Sequence, residues 1–528
     1  MEDAGWRKQW LIPMATLATM AVAAFALLYA IDHYLTGGPA SDANPGSLLR
    51  YFFFDEGFIT DAVSALGAMV AGVLGIVISV VSIVVQLSAN RYTGVAVMFF
   101  RDRTNIVVMG YYVVACVVGV LVSLSVRSDF VPRVTLLAMM AAVAIGLVMM
   151  APYFNYVFRF LEPTNIIARI HRYAMAEVHR GTTTTDPKER AAAQRRTLIA
   201  IEELLDITSN SISGKDKIIA SRAVDALKDI AVEHLAFKKN ASPEWFTLGE
   251  GIRSNPDFVA LDPESRDELV ERRTWVEWMV LRKLFAIFNE GLTTMRDLTH
   301  LVAIDTRYVG EAAQARGDRH LVELVLRYMN SYLRASLNAR DVRTAYNVLN
   351  QYRHLVEALL QGGDEKLAHE AVGYLRYYAH LSSDMKLGFI TETIAYDVGA
   401  LCQLAHELRC RIEGELLSIF LELDRPSKTR SEDLILRGVR KAQVKLAAYY
   451  VLAGAEAEAR RIRDDMKNEP PERLRAIRDE LARVEAKEFW EVVDRGRNFE
   501  YLPPEQKEAM HRFFETLGIE RERTALAS

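Results

Sequence analysis

The chain has 528 residues, of which 64 are basic and 68 acidic, and 51% are hydrophobic. A net charge of -4 argues against a generally basic nucleic-acid binder, so we expect no nucleic-acid partner. The three cysteines, Cys116, Cys402 and Cys410, are too few for a disulfide-rich scaffold. A mean hydropathy just above zero in a chain that is 25% charged indicates that the apolar residues are concentrated in one region.

Four uncharged runs in the first third of the chain are long enough to cross a membrane. They cover residues 11–31, 62–87, 106–124 and 134–157. An α-helix rises about 1.5 Å per residue, so about 20 apolar residues span the roughly 30 Å hydrocarbon layer. The sequence therefore predicts an all-α protein in which residues 1–160 form a domain of four transmembrane helices.

Basic residues beside these runs predict the orientation of the helices. With a cytoplasmic N-terminus, eight flank the runs on the cytoplasmic side: Arg7, Lys8, Arg91, Arg101, Arg103, Arg159, Arg169 and Arg172. Only three lie on the opposite side: Arg50, Arg127 and Arg133. Basic residues are retained on the cytoplasmic side of membranes, and an even number of crossings then places both termini in the cytoplasm.

Small and polar residues recur along the second run at spacings of three and four. This small-residue stripe consists of Ala68, Gly72, Gly75, Ser79, Ser82, Gln86 and Asn90. The spacing places these residues on one helix face, whereas the opposite face is mostly Val, Ile and Leu and is expected against lipid. The stripe either permits close helix packing or, contributed by several subunits, lines a water-filled pore.

Acidic, basic and histidine side chains are absent from the four runs, and charged residues gather in the turn that follows the second run. That absence disfavours a proton-coupled or ion-coupled transporter, which usually keeps such a group at membrane depth. The charged turn contains Arg91, Arg101, Asp102 and Arg103. It is expected at the cytoplasmic headgroups, either as a topological anchor or as a pore mouth or partner contact.

Two sequence patches resemble a known family. The first reads Gln-Leu-Ser-Ala-Asn-Arg-Tyr-Thr from Gln86, then Phe-Arg-Asp-Arg-Thr-Asn from Phe100. The second extends from Asp206 to Asp225. Both are similar to motifs of the bacterial membrane proteins grouped as the domain of unknown function 2254, over residues of about 10 to 230. The resemblance implies a four-span protein of the bacterial inner membrane, with no established reaction.

One turn of the second patch departs from the family pattern. Lys215-Asp216-Lys217 stands where the family tends to have Asn-Asp-Pro. Any role that depends on a rigid proline turn is therefore not implied for this chain.

Beyond the runs, apolar residues recur at helical spacing with charges between them, which predicts a large cytoplasmic helical domain. Linker composition divides it into a membrane-proximal region, 161–240, and a C-terminal domain, 264–528. Residues 342–381 and 441–466 are patterned as helix, Gly-containing turn and helix, similar to tetratricopeptide-type hairpins. An array of such hairpins and an irregular helical bundle both fit the pattern.

Motifs for catalysis, phosphate binding or metal binding are absent from the sequence, so we expect neither an enzyme nor a cofactor or metal site. Two hypotheses for the function follow. The first is an oligomeric membrane protein, channel or pore-like, whose partners are lipid and further copies of itself. The second is a membrane-anchored scaffold or sensor whose helical domain binds a cytoplasmic protein.

Overall fold

A computed structural model of the chain describes residues 56–89, 99–100, 102–125, 133–424, 430–488, 495 and 498–520, with the single positions 15, 19, 23 and 27. Every regular element in these ranges is a helix. The predicted all-α class is therefore confirmed for this part of the chain. Contacts divide the chain into two compact units, Met1–Ala168 and Arg169–Ser528.

Three long apolar helices lie in the described part of the first unit. They are α1 Glu56–Ala89, α2 Arg103–Ser125 and α3 Arg133–Leu161. Each contains a segment long and apolar enough to span a membrane: Ala65–Ile83, Arg103–Val122 and Thr135–Leu161. The sequence predicted four such helices, whereas the described residues contain three, because the run 11–31 lies outside them except for four isolated positions.

Small residues allow these three helices to approach closely. A buried cluster joins them and consists of Val70, Ala115, Met139 and Val143. A Cβ added at Gly119 would lie 2.8 Å from Cε of Met139 and 3.6 Å from Cα of Gly67. Packing of this kind drives association where the surroundings are as apolar as the side chains.

The remaining helices run from residue 163 to residue 516. In chain order they are α4 Pro163–Thr183, α5 Pro187–Ser213, α6 Lys217–Lys238, α7 Glu250–Arg253, α8 Pro256–Val259, α9 Pro263–Glu271, α10 Trp275–Thr294, α11 Arg296–Ala315, α12 Arg319–Asn338, α13 Val342–Gln361, α14 Glu365–Asp384, α15 Gly388–Glu407, α16 Glu413–Leu421, α17 Arg430–Ala453, α18 Glu456–Met466, α19 Pro471–Arg483 and α20 Pro504–Thr516. A short 3₁₀ helix, Pro243–Phe246, precedes α7.

Helices α11 to α15 repeat with one length and one spacing. Each has 20 residues. They begin at residues 296, 319, 342, 365 and 388, a constant step of 23 residues. The turns that follow them repeat too, because one residue in each has a positive φ: Gly317, Arg340, Gly363, Lys386 and Arg409. A left-handed residue directly after a helix ends it and redirects the chain.

Aspartates begin three of these helices. Asp318, Asp341 and Asp364 accept hydrogen bonds from the backbone N–H three residues later, at 3.2, 3.1 and 3.3 Å. An N-cap carboxylate satisfies a donor that has no partner inside the helix and favours the positive end of the helix dipole. Each of these turns therefore carries a stop signal and a start signal on adjacent residues.

Buried positions repeat with the same step, so every helix of the set presents an equivalent face. Val302, Val325, Val348, Ala371 and Ile394 are all completely buried. Alternate helices pack on each other, α11 on α13 and α13 on α15, while α12 and α14 form a second layer. The result is a two-layer array of helical hairpins, which the structure favours over an irregular bundle.

The array continues beyond the strictly periodic helices. On its N-terminal side α6 packs on α11 and α5 on α10, and on its C-terminal side α17 packs on α15. Helices from the region 161–240 thus lie against helices of the region 264–528 within one unit. The finer division of this part of the chain into two domains stays a prediction.

Candidate functional site

The small-residue stripe of α1 lies on the outer side of the three described helices. Ala68, Gly72, Gly75, Ser79 and Gln86 are exposed, and Ser82 is half-buried. The last stripe residue, Asn90, lies outside the described residues. A Cβ added at Gly72 or Gly75 would meet no atom of the described residues within 4 Å. Among the described helices the stripe is therefore open to a further helix.

The valine face of α1 is the one that packs inside the first unit. Val70, Val77, Val81 and Val85 are at most 5% exposed. We expected this face against lipid, so for these valines the expectation was wrong. The physical reason is that valine and lipid tails are equally apolar, so shape and not polarity selects which face packs.

Asp102 of the charged turn begins α2. Its carboxylate accepts hydrogen bonds from the backbone N–H groups of Thr104 and Asn105, at 3.0 and 3.3 Å, and one from the hydroxyl of Tyr156. Asp102 thus caps α2 and joins it to α3. The neighbouring Arg103 is exposed, whereas Arg91 and Arg101 lie outside the described residues.

Two side chains that the sequence did not single out complete this polar end of the helices. Asn105 is 3% exposed and donates to the carbonyl of Phe99 at 3.3 Å. It accepts a hydrogen bond from the hydroxyl of Tyr153 at 2.7 Å. Asn105 directly follows the capping sequence, but only its packing against α3 reveals the tyrosine partner.

The Asp206–Asp225 patch forms the connection between α5 and α6. Lys215 has φ 58°, and the carboxylate of Asp216 accepts a hydrogen bond from the N–H of Ile219 at 3.1 Å. Lys217 is the first residue of α6. Asparagine tolerates the left-handed conformation, aspartate caps, and proline is favoured at the first helical position. The family's Asn-Asp-Pro thus suits this turn, which here forms without the proline.

Asp225 of the patch and the nearby Asp229 act electrostatically on a buried carboxylate of α11. Asp305 is 2% exposed, and burial raises its pKa to about 7, with Asp225 and Asp229 adding to the rise and Lys228 opposing it. Burial and the neighbouring Asp206 likewise raise the pKa of Glu203 to about 7. Among the described residues no group of three or more His, Cys, Asp or Glu could hold a metal ion.

Comparison with known proteins finds one family model that is similar to the N-terminal part of the chain. Residues 6–234 match the model of a family described as a predicted membrane protein (DUF2254). This confirms the resemblance found from the two sequence patches. No curated protein and no solved structure matches the chain.

Proposed function

We propose that the chain is a homo-oligomeric protein of the bacterial inner membrane. The premise is that residues 6–234 match the DUF2254 family of predicted membrane proteins. The run 11–31 supplies a fourth transmembrane helix, both termini are cytoplasmic, and the residues beyond about 160 form a cytoplasmic helical domain. Copies meet along the small-residue stripe, which lines a channel or pore-like path that this domain assembles or gates. The proposal assigns no catalytic role and no cofactor.

The exposure of the stripe supports this proposal. The hydroxyl of Ser79 and the amide of Gln86 find few partners in hydrocarbon, and leaving them there is unfavourable. A helix of a second copy offers hydrogen bonds worth roughly 0.6–2 kcal/mol each, and the open glycines let it approach. One subunit of four helices has little room for a pore, so the pore must form between several subunits related by symmetry.

The test replaces both serines of the stripe in the full-length chain. Ser79→Leu with Ser82→Leu removes the polar surface and fills space at the stripe, while Ile78→Leu with Ile83→Leu changes two exposed apolar positions as a matched control. The wild type and both variants are reconstituted into liposomes. Ion flux is recorded there, and the oligomer mass is measured in detergent.

We expect the serine variant to reduce flux at least about tenfold, because a wetted surface becomes apolar, and the isoleucine variant to behave as the wild type. An intact oligomer with unchanged flux would reject the pore-lining placement. A variant that dissociates into monomers would identify the stripe as a helix contact.

A membrane-anchored scaffold or sensor is the second candidate. The two-layer array of α11 to α15 supports it, because stacked hairpins present an extended surface to a cytoplasmic protein partner. Under this hypothesis the spans only anchor and oligomerise the chain. Two results together would favour this function over the channel. Wild-type oligomers would conduct no ions in liposomes, and a cytoplasmic protein would crosslink to the array in cells.

A further inference from the structure

Neighbouring helices in one layer of the array are joined by an arginine contact that repeats. On α11, Nε of Arg307 donates to Oε1 of Gln351 on α13 at 2.9 Å. The guanidinium also pairs with Glu311, one turn further along α11, at 2.6 Å. Gln351 is 5% exposed, so the arginine supplies a hydrogen bond to a buried amide.

The same contact recurs two steps of 23 residues later. On α13, Nε of Arg353 lies 3.3 Å from Oδ1 of Asp397 on α15, and the guanidinium pairs with Glu357. The buried amide is here replaced by a buried carboxylate, since Asp397 is 2% exposed. A carboxylate attracts a further cation more strongly than a neutral amide does. This step of the repeat is therefore suited to bind an additional basic group.

A basic group from outside the array lies at this carboxylate. Arg495 comes after α19, and its side chain is 4% exposed. It donates to Oδ1 of Asp397 at 2.6 Å and to the carbonyl of Tyr346 on α13 at 2.8 Å. Its guanidinium also lies over the Tyr346 ring, 4.2 Å from the centre. Helices α13 and α15 thus offer one guanidinium a carboxylate, a carbonyl and an aromatic face.

The residues that follow Arg495 extend the contact along the same layer. Phe499 stacks on Tyr396 of α15, with ring centroids 5.2 Å apart and an interplanar angle of 12°. The carboxylate of Glu500 lies 2.7 Å from Nζ of Lys441 on α17. Residues 498–503 form neither helix nor strand. Arginine and aromatic side chains that fill pockets usually dominate the binding of one protein to another, so these contacts resemble those of a peptide ligand.

The array does not depend on Arg495 to pair Asp397. Arg353 contacts the same carboxylate oxygen from within the repeat. A buried ion pair also stabilises a fold only weakly, because the desolvation of both charges offsets their attraction. The contact of Arg495 therefore defines where the segment lies more than it holds the array together.

We propose that Tyr346, Tyr396, Asp397 and Lys441 form a docking surface for an irregular segment of a cytoplasmic protein. The segment carries an arginine and, four residues later, an aromatic residue. In this structure the chain's own Arg495 and Phe499 occupy the docking surface, so they are autoinhibitory and the partner displaces them. The proposal rests on the scaffold, the second candidate function, and does not depend on conduction by the first unit.

The test uses a fluorescein-labelled peptide with the sequence of residues 493–503 and the detergent-solubilised full-length chain. Fluorescence anisotropy measures the Kd. We expect Arg495→Ala with Phe499→Ala to bind the peptide at least about tenfold more tightly than the wild type, because the chain's own residues no longer compete. Arg475→Ala, at an exposed position on α19, is the control and should bind as the wild type.

The carboxylate of the docking surface is tested in the same double variant. Adding Asp397→Asn should weaken binding of the peptide about tenfold, since a charge-assisted hydrogen bond is lost. Circular dichroism during heating shows which variants fold. Arg495→Gln keeps the aromatic stack and is the milder variant if the double variant unfolds; it should tighten binding at least about threefold.

The proposal is wrong if the peptide binds no variant, or if it binds the wild type and the double variant equally. It is also wrong if Asp397→Asn leaves binding unchanged, or if a peptide with alanine in place of its first arginine binds as well. These results would leave the scaffold itself standing, because a partner that contacts another part of the array would still crosslink in cells. The liposome test of the channel is separate from all of them.

Discussion

At the residue scale, Asp305 shows how burial inside a helical array changes the pKa of a carboxyl group. It lies on α11, and its Oδ2 finds no hydrogen-bond partner among the residues that the structure describes. Burial raises the pKa of this carboxyl to about 7, and the opposite charge of Lys228 only partly offsets the effect. Below about pH 7 the folded state therefore holds Asp305 mostly as the neutral acid.

This environment predicts a pH-dependent gain in stability from Asp305→Asn. A carboxyl whose pKa is raised in the folded state contributes stability that is fully present below the pKa of the unfolded chain, about 3.9. This stability is lost as the pH rises through the folded-state pKa of about 7. Asparagine stays neutral, so it should stabilise the chain at about pH 8, by on the order of 2 kcal/mol, and change little at about pH 4. Tryptophan fluorescence during urea unfolding of the full-length chain measures this difference.

Asp267→Asn, at an exposed position, serves as the control and should change the unfolding free energy little at either pH. A gain of equal size at both values for Asp305→Asn would contradict the argument, because it would not follow the charge of the carboxyl.

The sequence drew attention to some of these residues but did not predict what they do. Asp102 and Asp216 were both named from the sequence, and the structure shows that both cap helices. The tyrosine hydrogen bonds to Asp102 and Asn105 were not visible, since they join residues about fifty positions apart. Local spacing identifies a cap, but only packing identifies the partner.

At the scale of elements, the 23-residue step depends on turns that are only partly encoded by glycine. Gly317 and Gly363 occupy two of the left-handed positions, and Arg340, Lys386 and Arg409 occupy the other three. Glycine is the usual helix-ending signal, so a search for glycine misses three of the five turns. This is why the sequence identified individual hairpins but not their regular spacing.

The turns predict opposite effects from two substitutions. Arg340→Gly should stabilise the chain by about 0.5–1 kcal/mol, because glycine adopts φ 52° without the strain of a side chain. Gly363→Ala should destabilise it by about 1 kcal/mol. An added Cβ at Gly363 meets no atom of the described residues within 4 Å, so this cost comes from the backbone.

Urea unfolding of the full-length chain, followed by circular dichroism at the helical band, gives both values. Gly373→Ala, inside α14 with no neighbour within 4 Å of the added Cβ, is the control and should stabilise by roughly 0.5–1 kcal/mol. Stabilisation by Gly363→Ala would show that its turn does not need glycine.

The helix faces of α1 illustrate a limit of patterning inside a membrane. Spacing placed Gly72, Gly75 and Ser79 on one face, and the structure places them together on the exposed side. The same spacing could not tell which face packs within the chain, since apolar surroundings give no hydrophobic drive to choose one. In a water-soluble protein the apolar face of a helix packs on the core, so the pattern alone would have identified the packed face.

At the scale of the whole molecule, the apolar helices and their flanking charges predict a topology. Alkaline phosphatase fused after residue 128, between α2 and α3, should be active, because it then lies outside the cytoplasm. Green fluorescent protein fused after residue 528 should be fluorescent, since it folds in the cytoplasm. Activity and fluorescence in intact bacterial cells measure the two sides independently.

A phosphatase-active fusion after residue 528 would contradict the predicted orientation. A phosphatase fusion after residue 95, between the second and third runs, is the matched control on the cytoplasmic side and should be inactive.

The constant helix length of the array bears on how such a chain can change its size. Two successive steps of 23 residues make one hairpin, with its own stop and start signals. Because each hairpin contacts mainly its neighbours, gene duplication or loss of one whole pair preserves the geometry of the remaining junctions. We therefore expect relatives to differ in length by whole hairpins, because this change disturbs the folding of the array least.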